Sequence, residues 1–164
     1  MQLFVKGGTF VDSLMKYIMR THRCFNMYCD DLLAEDGITA PQCRYIVRIC
    51  REPGQTQEQL ARRVFANKSN AARQMAALEQ NGFITREPDP DDRRALRIFP
   101  TEKCLAIFPK VECVYEKWNR YLLDGFSEEE QELLFAVMEK MTDRALNYSE
   151  AEQLQDDTSN QEVK

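Results

Sequence analysis

The side chains best suited to chemistry in this chain are cations and amides concentrated in its middle. Asn70, Arg73, Gln74 and Ala77 fall on one side of a helix read at about 100° per residue, opposite Ala71, Met75 and Leu78. That polar side is unbulky and carries no acid. Arginine and glutamine placed this way can reach the guanine and adenine edges of duplex DNA. Lys68 and Ser69, at the start of the same helix, can meet a phosphate together with the free backbone N–H groups. A second cluster follows at Asp92, Arg93, Arg94 and Arg97. Arg94 suits a narrow minor groove, where negative potential is focused, and Asp92 is placed to hold its direction. Arg93 and Arg97 would add phosphate contacts. The plain alternatives are a solvated helix face and a hairpin kept soluble by mixed charge; the surrounding elements favour the nucleic-acid reading.

Other reactive groups point nowhere so definite. His22 is the single histidine, so a histidine-based triad or multi-histidine metal site cannot form within one chain. The six cysteines are spaced poorly for pairing along one helix. Cys43 and Cys50 would share a face but stand about 10 Å apart along the axis, too far for a disulfide. Cys104 and Cys113 fall on opposite faces, and Cys24 and Cys29 lie about 140° apart, a poor geometry for a shared metal. No glycine-rich phosphate loop, metal-ligand spacing or nucleophile–base pair is present. The expectation is therefore a non-enzyme with no catalytic residue, no metal and no cofactor.

The elements that must position these groups follow from helix signals. Val11, Leu14, Ile18, Phe25, Tyr28 and Leu32 give a first helix over 10–33, closed by Gly37. Thr39-Ala-Pro-Gln42 opens a second helix, which Glu52-Pro53-Gly54 stops. Thr56-Gln-Glu-Gln59 caps a short third, and Asn67 caps a fourth over 68–80, ended by Asn81-Gly82. Two short helices joined by a tight link form a helix-turn-helix. Residues 83–86 and 95–99 read as strands around a polar, twice proline-punctuated tip, a hairpin wing. Thr101 opens a long helix to about Leu123, and Ser127-Glu-Glu-Glu130 caps the last. From Ser149 the chain is acidic and poor in large apolar residues, which predicts disorder.

Charge is distributed to match. The net charge is −5, yet residues 39–97 hold eleven Lys/Arg against seven Asp/Glu, a local +4, and the remainder is −9. Hydrophobic residues at 43% and charged residues at 30% are ordinary for a globular protein. Met1 to Phe10 lacks a signal-peptide pattern, and no window approaches the ~18 apolar residues of a membrane span. A cytoplasmic protein without a membrane partner is expected.

In this order of elements the chain resembles the MarR family of bacterial regulators over roughly residues 10–147. The specific residues are Asn67-Lys-Ser-Asn70, Leu78-Glu-Gln-Asn-Gly-Phe-Ile-Thr-Arg86, and Asp89-Pro-Asp-Asp-Arg-Arg94 at the wing tip. Asp92-Arg93-Arg94 looks like the family's Asp-x-Arg wing motif. Where the family carries Leu-Thr and a Gly after the wing, this chain has Pro100-Thr101 and Cys104.

The resemblance implies a mainly α fold with a small β-hairpin wing. It implies an N-terminal dimerisation helix (1–38), a winged helix-turn-helix head (39–100) and C-terminal dimerisation helices (101–148), followed here by an acidic tail (149–164). It also implies a homodimer on a palindromic double-stranded DNA operator, with recognition helices in major grooves and wings at minor grooves. The function implied is that of a repressor, released by a small-molecule effector or by cysteine oxidation. For the latter, position near the first helix makes Cys24 and Cys29 the candidate redox sensors. The alternative is a winged-helix protein-interaction module that no longer binds DNA.

Overall fold

The computed structural model describes residues 14–90 and 95–159, with side chains through Tyr148. Six α-helices and three short strands follow in the order α1 (Leu14–Leu33), α2 (Ala40–Arg51), β1 (Gln55–Thr56), α3 (Gln57–Arg63), α4 (Lys68–Gln80), β2 (Ile84–Pro88), β3 (Leu96–Pro100), α5 (Glu102–Leu123) and α6 (Glu128–Ser159). A single 3-10 turn, Ala34–Asp36, joins α1 to α2. No described helix is long and apolar enough to cross a membrane.

The caps read from the sequence do the expected work. Thr56 and Gln59 cap α3 reciprocally: the Gln59 N–H donates to Thr56 Oγ1 (3.3 Å) and the Thr56 N–H to Gln59 Oε1 (2.8 Å). Asn67 accepts the Asn70 N–H at 2.7 Å and starts α4. The same reciprocal arrangement, Ser127 with Glu130, opens α6. The start of α2 also has a cap from another helix: the Ala40 N–H donates to Asp30 Oδ1 of α1 at 2.7 Å.

Three differences from the sequence reading have physical reasons. The wing is a three-stranded antiparallel sheet in the order β1–β3–β2, because the free edge of β3 recruits Gln55 and Thr56 opposite Ile98 and Arg97. The hairpin strands run past the expected ends, with Pro88 opposite Leu96 and Ile84 opposite Pro100. Proline lacks an N–H donor and is tolerated at such strand ends. Helix α6 continues to Ser159, beyond the expected onset of disorder at Ser149. The run Glu150 to Gln155 consists of Glu, Ala, Gln and Leu, all good helix formers that need no apolar face. Phe10 to Ser13, the expected start of the first helix, lie outside the described residues, as do 160–164.

The chain divides into two compact units, one ending at Trp118 and one beginning at Asn119. The core of the first is continuous. Cys29 and Leu33 of α1, Tyr45, Ile46 and Ile49 of α2, Leu60 of α3, Ala71, Met75 and Leu78 of α4, Ile98 of β3, and Cys104, Val111 and Val114 of α5 belong to it. Residues from the C-terminal half of α1 and from α5 as far as Val114 therefore pack with α2, α3, α4 and β3. Phe25, Tyr28, Tyr115 and Trp118 stack beside it, with ring centroids 5.0–5.8 Å apart. In the second unit α6 buries none of its described side chains.

Candidate nucleic-acid interface

Helix α4 is held from below and presented outward. Ala71, Met75 and Leu78 are completely buried. Behind them Tyr45, itself fully buried, directs its hydroxyl at Asn70 Oδ1 (3.5 Å). Burial raises the Tyr45 pKa further above the ordinary phenol value. At the far end of α4, Glu79 pairs with Arg86 of β2 at 2.9 Å, and the Asn81 carbonyl accepts the Lys103 ammonium at 2.8 Å. Strand β2 and the start of α5 thus fix where α4 ends.

The outward face differs in detail from the expected one. Ser69, Ala72, Arg73 and Ala76 are exposed, while Asn70, Gln74 and Ala77 are half-buried on the flank. Asn70 is engaged by Tyr45, and so is a bolt to α2 as much as a polar group facing out. Lys68 is exposed but lies 3.3 Å from Glu58 of α3, which also holds Arg62 at 3.6 Å. Arg73, Ser69 and the two alanines together make a narrow, acid-free strip. Its small residues let a helix approach a groove floor closely.

The wing holds an acid–arginine pair, at residues other than those expected. Arg97 donates to Asp89 through Nε (2.8 Å to Oδ2) and Nη2 (3.2 Å to Oδ1), a two-pronged contact. Asp89 is only 8% exposed, and its N–H closes the hairpin on the Ala95 carbonyl at 3.0 Å. Arg97, expected as a phosphate contact, is held by Asp89 with its side chain still partly exposed. The cross-strand register, with Glu87 opposite Arg97, is the signal that places Asp89 within its reach. Asp92, Arg93 and Arg94 lie outside the described residues. A cavity of about 600 Å³ opens between the start of α3 and this hairpin, lined by Thr56, Glu58, Arg86, Asp89 and Leu96 among others.

At the base of the wing Thr101 joins three elements. Its hydroxyl is 2.7 Å from the Gly82 carbonyl and 3.0 Å from that of Phe83, and it also accepts the Cys104 N–H at the first turn of α5. Gly82 has φ +72°, a left-handed conformation that favours glycine between α4 and β2. Phe65, in the turn between α3 and α4, also has a positive φ of 52° and is 70% exposed.

The candidate redox residues separate. Cys24 is exposed, whereas Cys29 is fully buried against Cys43 of α2, whose hydrogen bond lowers the Cys29 pKa. His22 is exposed. A second thiol contact, Cys50 with Cys104, joins α2 to α5 with 3.5 Å between the sulfurs. Neither contact is visible along any single helix. Among the described residues no group of three or more His, Cys, Asp or Glu side chains is disposed to hold a metal.

Comparison with known proteins agrees with this geometry. Residues 38–96 match the MarR family. The chain is 35% identical to the uncharacterized HTH-type transcriptional regulator YybA of Bacillus subtilis, over 63% of this chain and 69% of that protein. It is 31% identical to the HTH-type transcriptional regulator BilQ of Clostridium symbiosum, over 71% of this chain and 81% of that one. Among solved structures, one from Listeria monocytogenes, described as a MarR-family regulator complexed with a 26mer DNA, superposes with a TM-score of 0.76 at 26% identity. That match covers 81% of this chain and 89% of the other.

Proposed function

The chain belongs to the MarR family, and on that premise we propose that it regulates transcription by binding duplex DNA as a homodimer. The carrying observation is the acid-free exposed strip of α4, Ser69–Ala72–Arg73–Ala76, set behind a tight turn and beside a rigidly paired hairpin. Arg73 is placed to read a base edge in the major groove, with Ser69 and Lys68 at the nearby phosphates. Gln74 and Asn70 act from the flank of the helix. Arg93 and Arg94 at the wing tip supply the minor-groove contact, oriented by Asp92.

The homodimer rests on what α1 and α6 leave uncovered. Leu14, Met15, Tyr17 and Met19 of α1 are 55–66% exposed, and Leu133, Leu134, Phe135, Val137 and Met138 of α6 are 40–66% exposed. Apolar surface on that scale marks an interface, and a two-fold partner of the same sequence supplies the complement. A palindromic operator follows from the same symmetry. The regulatory mode proposed is repression in the cytoplasm, relieved by a small ligand or by thiol oxidation.

Salt titration separates this reading from an interaction module that has lost DNA binding. A groove reader loses affinity steeply and log-linearly as salt rises, with a slope near −0.9 per phosphate neutralised. Duplex binding that is flat in salt, or absent at low salt, would contradict the proposal.

A further inference from the structure

Two pairs of thiols meet across helices of the head, and they differ in access. Cys29 and Cys43 are both fully buried. Cys104 is buried as well, but its partner Cys50 is partly exposed, and the two sulfurs stand 3.5 Å apart across 54 residues of sequence. We propose that Cys50 and Cys104 form a redox-active dithiol, which hydroperoxides oxidise to a disulfide within one protomer.

The division of labour follows from the surroundings. Cys50 is the partly exposed member of the pair, and so the one assigned to meet a small oxidant. The hydrogen bond from Cys104 lowers the Cys50 pKa, against the opposing effects of burial and of Glu112; the same bond and burial raise that of Cys104. Cys50 is therefore the attacking thiolate and Cys104 the resolving thiol. Cys50 sulfur attacks the O–O bond, forming Cys50 sulfenic acid as the alcohol leaves with a proton. Cys104 sulfur then attacks the sulfenic sulfur, the S–S bond forms, and water departs with the Cys104 proton. Two thiols and one hydroperoxide yield one disulfide, one alcohol and one water.

The bridge would close a loop that contains α3, α4 and both wing strands, that is, the whole proposed DNA-reading segment. To bond, the sulfurs must close from 3.5 Å to about 2.05 Å. Closure draws α2 and the first turn of α5 together, and that turn follows Thr101, which grips the Gly82 and Phe83 carbonyls at the base of the wing. Oxidation therefore displaces the wing relative to α4. Resting on the DNA-binding reading, this lowers operator affinity by about tenfold, the scale of one good base contact.

The test is peptide mapping of the full-length protein under non-reducing conditions after exposure to hydrogen peroxide or cumene hydroperoxide. The expected product is a Cys50–Cys104 linked peptide from a single protomer, reversed by dithiothreitol and accompanied by a higher melting temperature. Cys24→Ser should leave the link unchanged, and Cys50→Ser should abolish it. Absence of the linked peptide in the parent protein, or a link between Cys29 and Cys43 in its place, would overturn the proposal without recourse to any variant. Operator titration of the oxidised and reduced protein then tests regulation. A complete Cys50–Cys104 link with unchanged affinity overturns the regulatory half. If the reduced protein binds no duplex, it is the DNA-binding reading that fails, and the peptide map still decides the thiol chemistry.

Discussion

Helices α4 and α6 both repeat apolar residues at helical spacing, but only α4 finds a place for them within the described fold. Ala71, Met75 and Leu78 are sealed, so what α4 shows to solvent is its small and cationic remainder. Helix α6 is the reverse: Leu133, Leu134, Phe135, Val137 and Met138 are all substantially exposed, and none of its described residues is buried. The contrast separates a helix whose packing is finished, and whose free face is available for recognition, from one whose packing awaits another surface. The proposed function gives specificity to the first and assembly to the second.

Substitutions can break each side of that contrast separately. The largest effect is expected from Leu134→Glu combined with Met138→Glu. Charges on the uncovered face should convert the dimer to monomer and, by removing bivalency, weaken operator binding by about 100-fold or more. Sedimentation and operator titration read both, and helical content by circular dichroism should persist. A variant that stays dimeric would remove α6 from the interface.

Arg73→Ala comes next. It should cost about 1–3 kcal/mol of operator affinity, relax preference at particular base pairs, and leave the dimer intact. Asp89→Asn keeps the shape of the wing but removes the charge that Arg97 grips. The pair is partly exposed, so a loss of about 1 kcal/mol in unfolding free energy is expected by denaturant titration, with a measurable loss of operator affinity. The smallest effect is that of Tyr45→Phe, which deletes one long hydrogen bond to Asn70. Stability should fall by less than about 1 kcal/mol, with DNA binding nearly unchanged. A large loss there would mean that Asn70 must be held in a fixed direction to read DNA.

Much of the frame was legible in the chain because local chemistry marks it. Asn67 and Asn81-Gly82 bound α4 at the residues observed, since a cap and a left-handed glycine are local requirements. Strand β1 was not legible: two residues carry no alternation, and Gln55–Thr56 becomes a strand only because the edge of β3 is open. The facing of α4 was partly misread. Asn70, Gln74 and Ala77 are half-buried on one flank of the buried stripe, Ala72 is exposed on the other flank, and Ser69, Arg73 and Ala76 are exposed on the side away from it. The Asp89–Arg97 grip and the Cys50–Cys104 contact depend on strand register and on the packing of helices remote in sequence. Spacing along one helix carries no trace of either.

The central claim, that α4 reads duplex DNA in a two-fold assembly, is tested most directly by selecting fragments from random duplex DNA with the parent protein and with Arg73→Ala. The expected result is an inverted repeat, its half-sites about one helical turn apart, with sequence preference reduced at symmetric positions in the variant. Selection of no common sequence, or the same inverted repeat with equal preference from both proteins, would contradict the account.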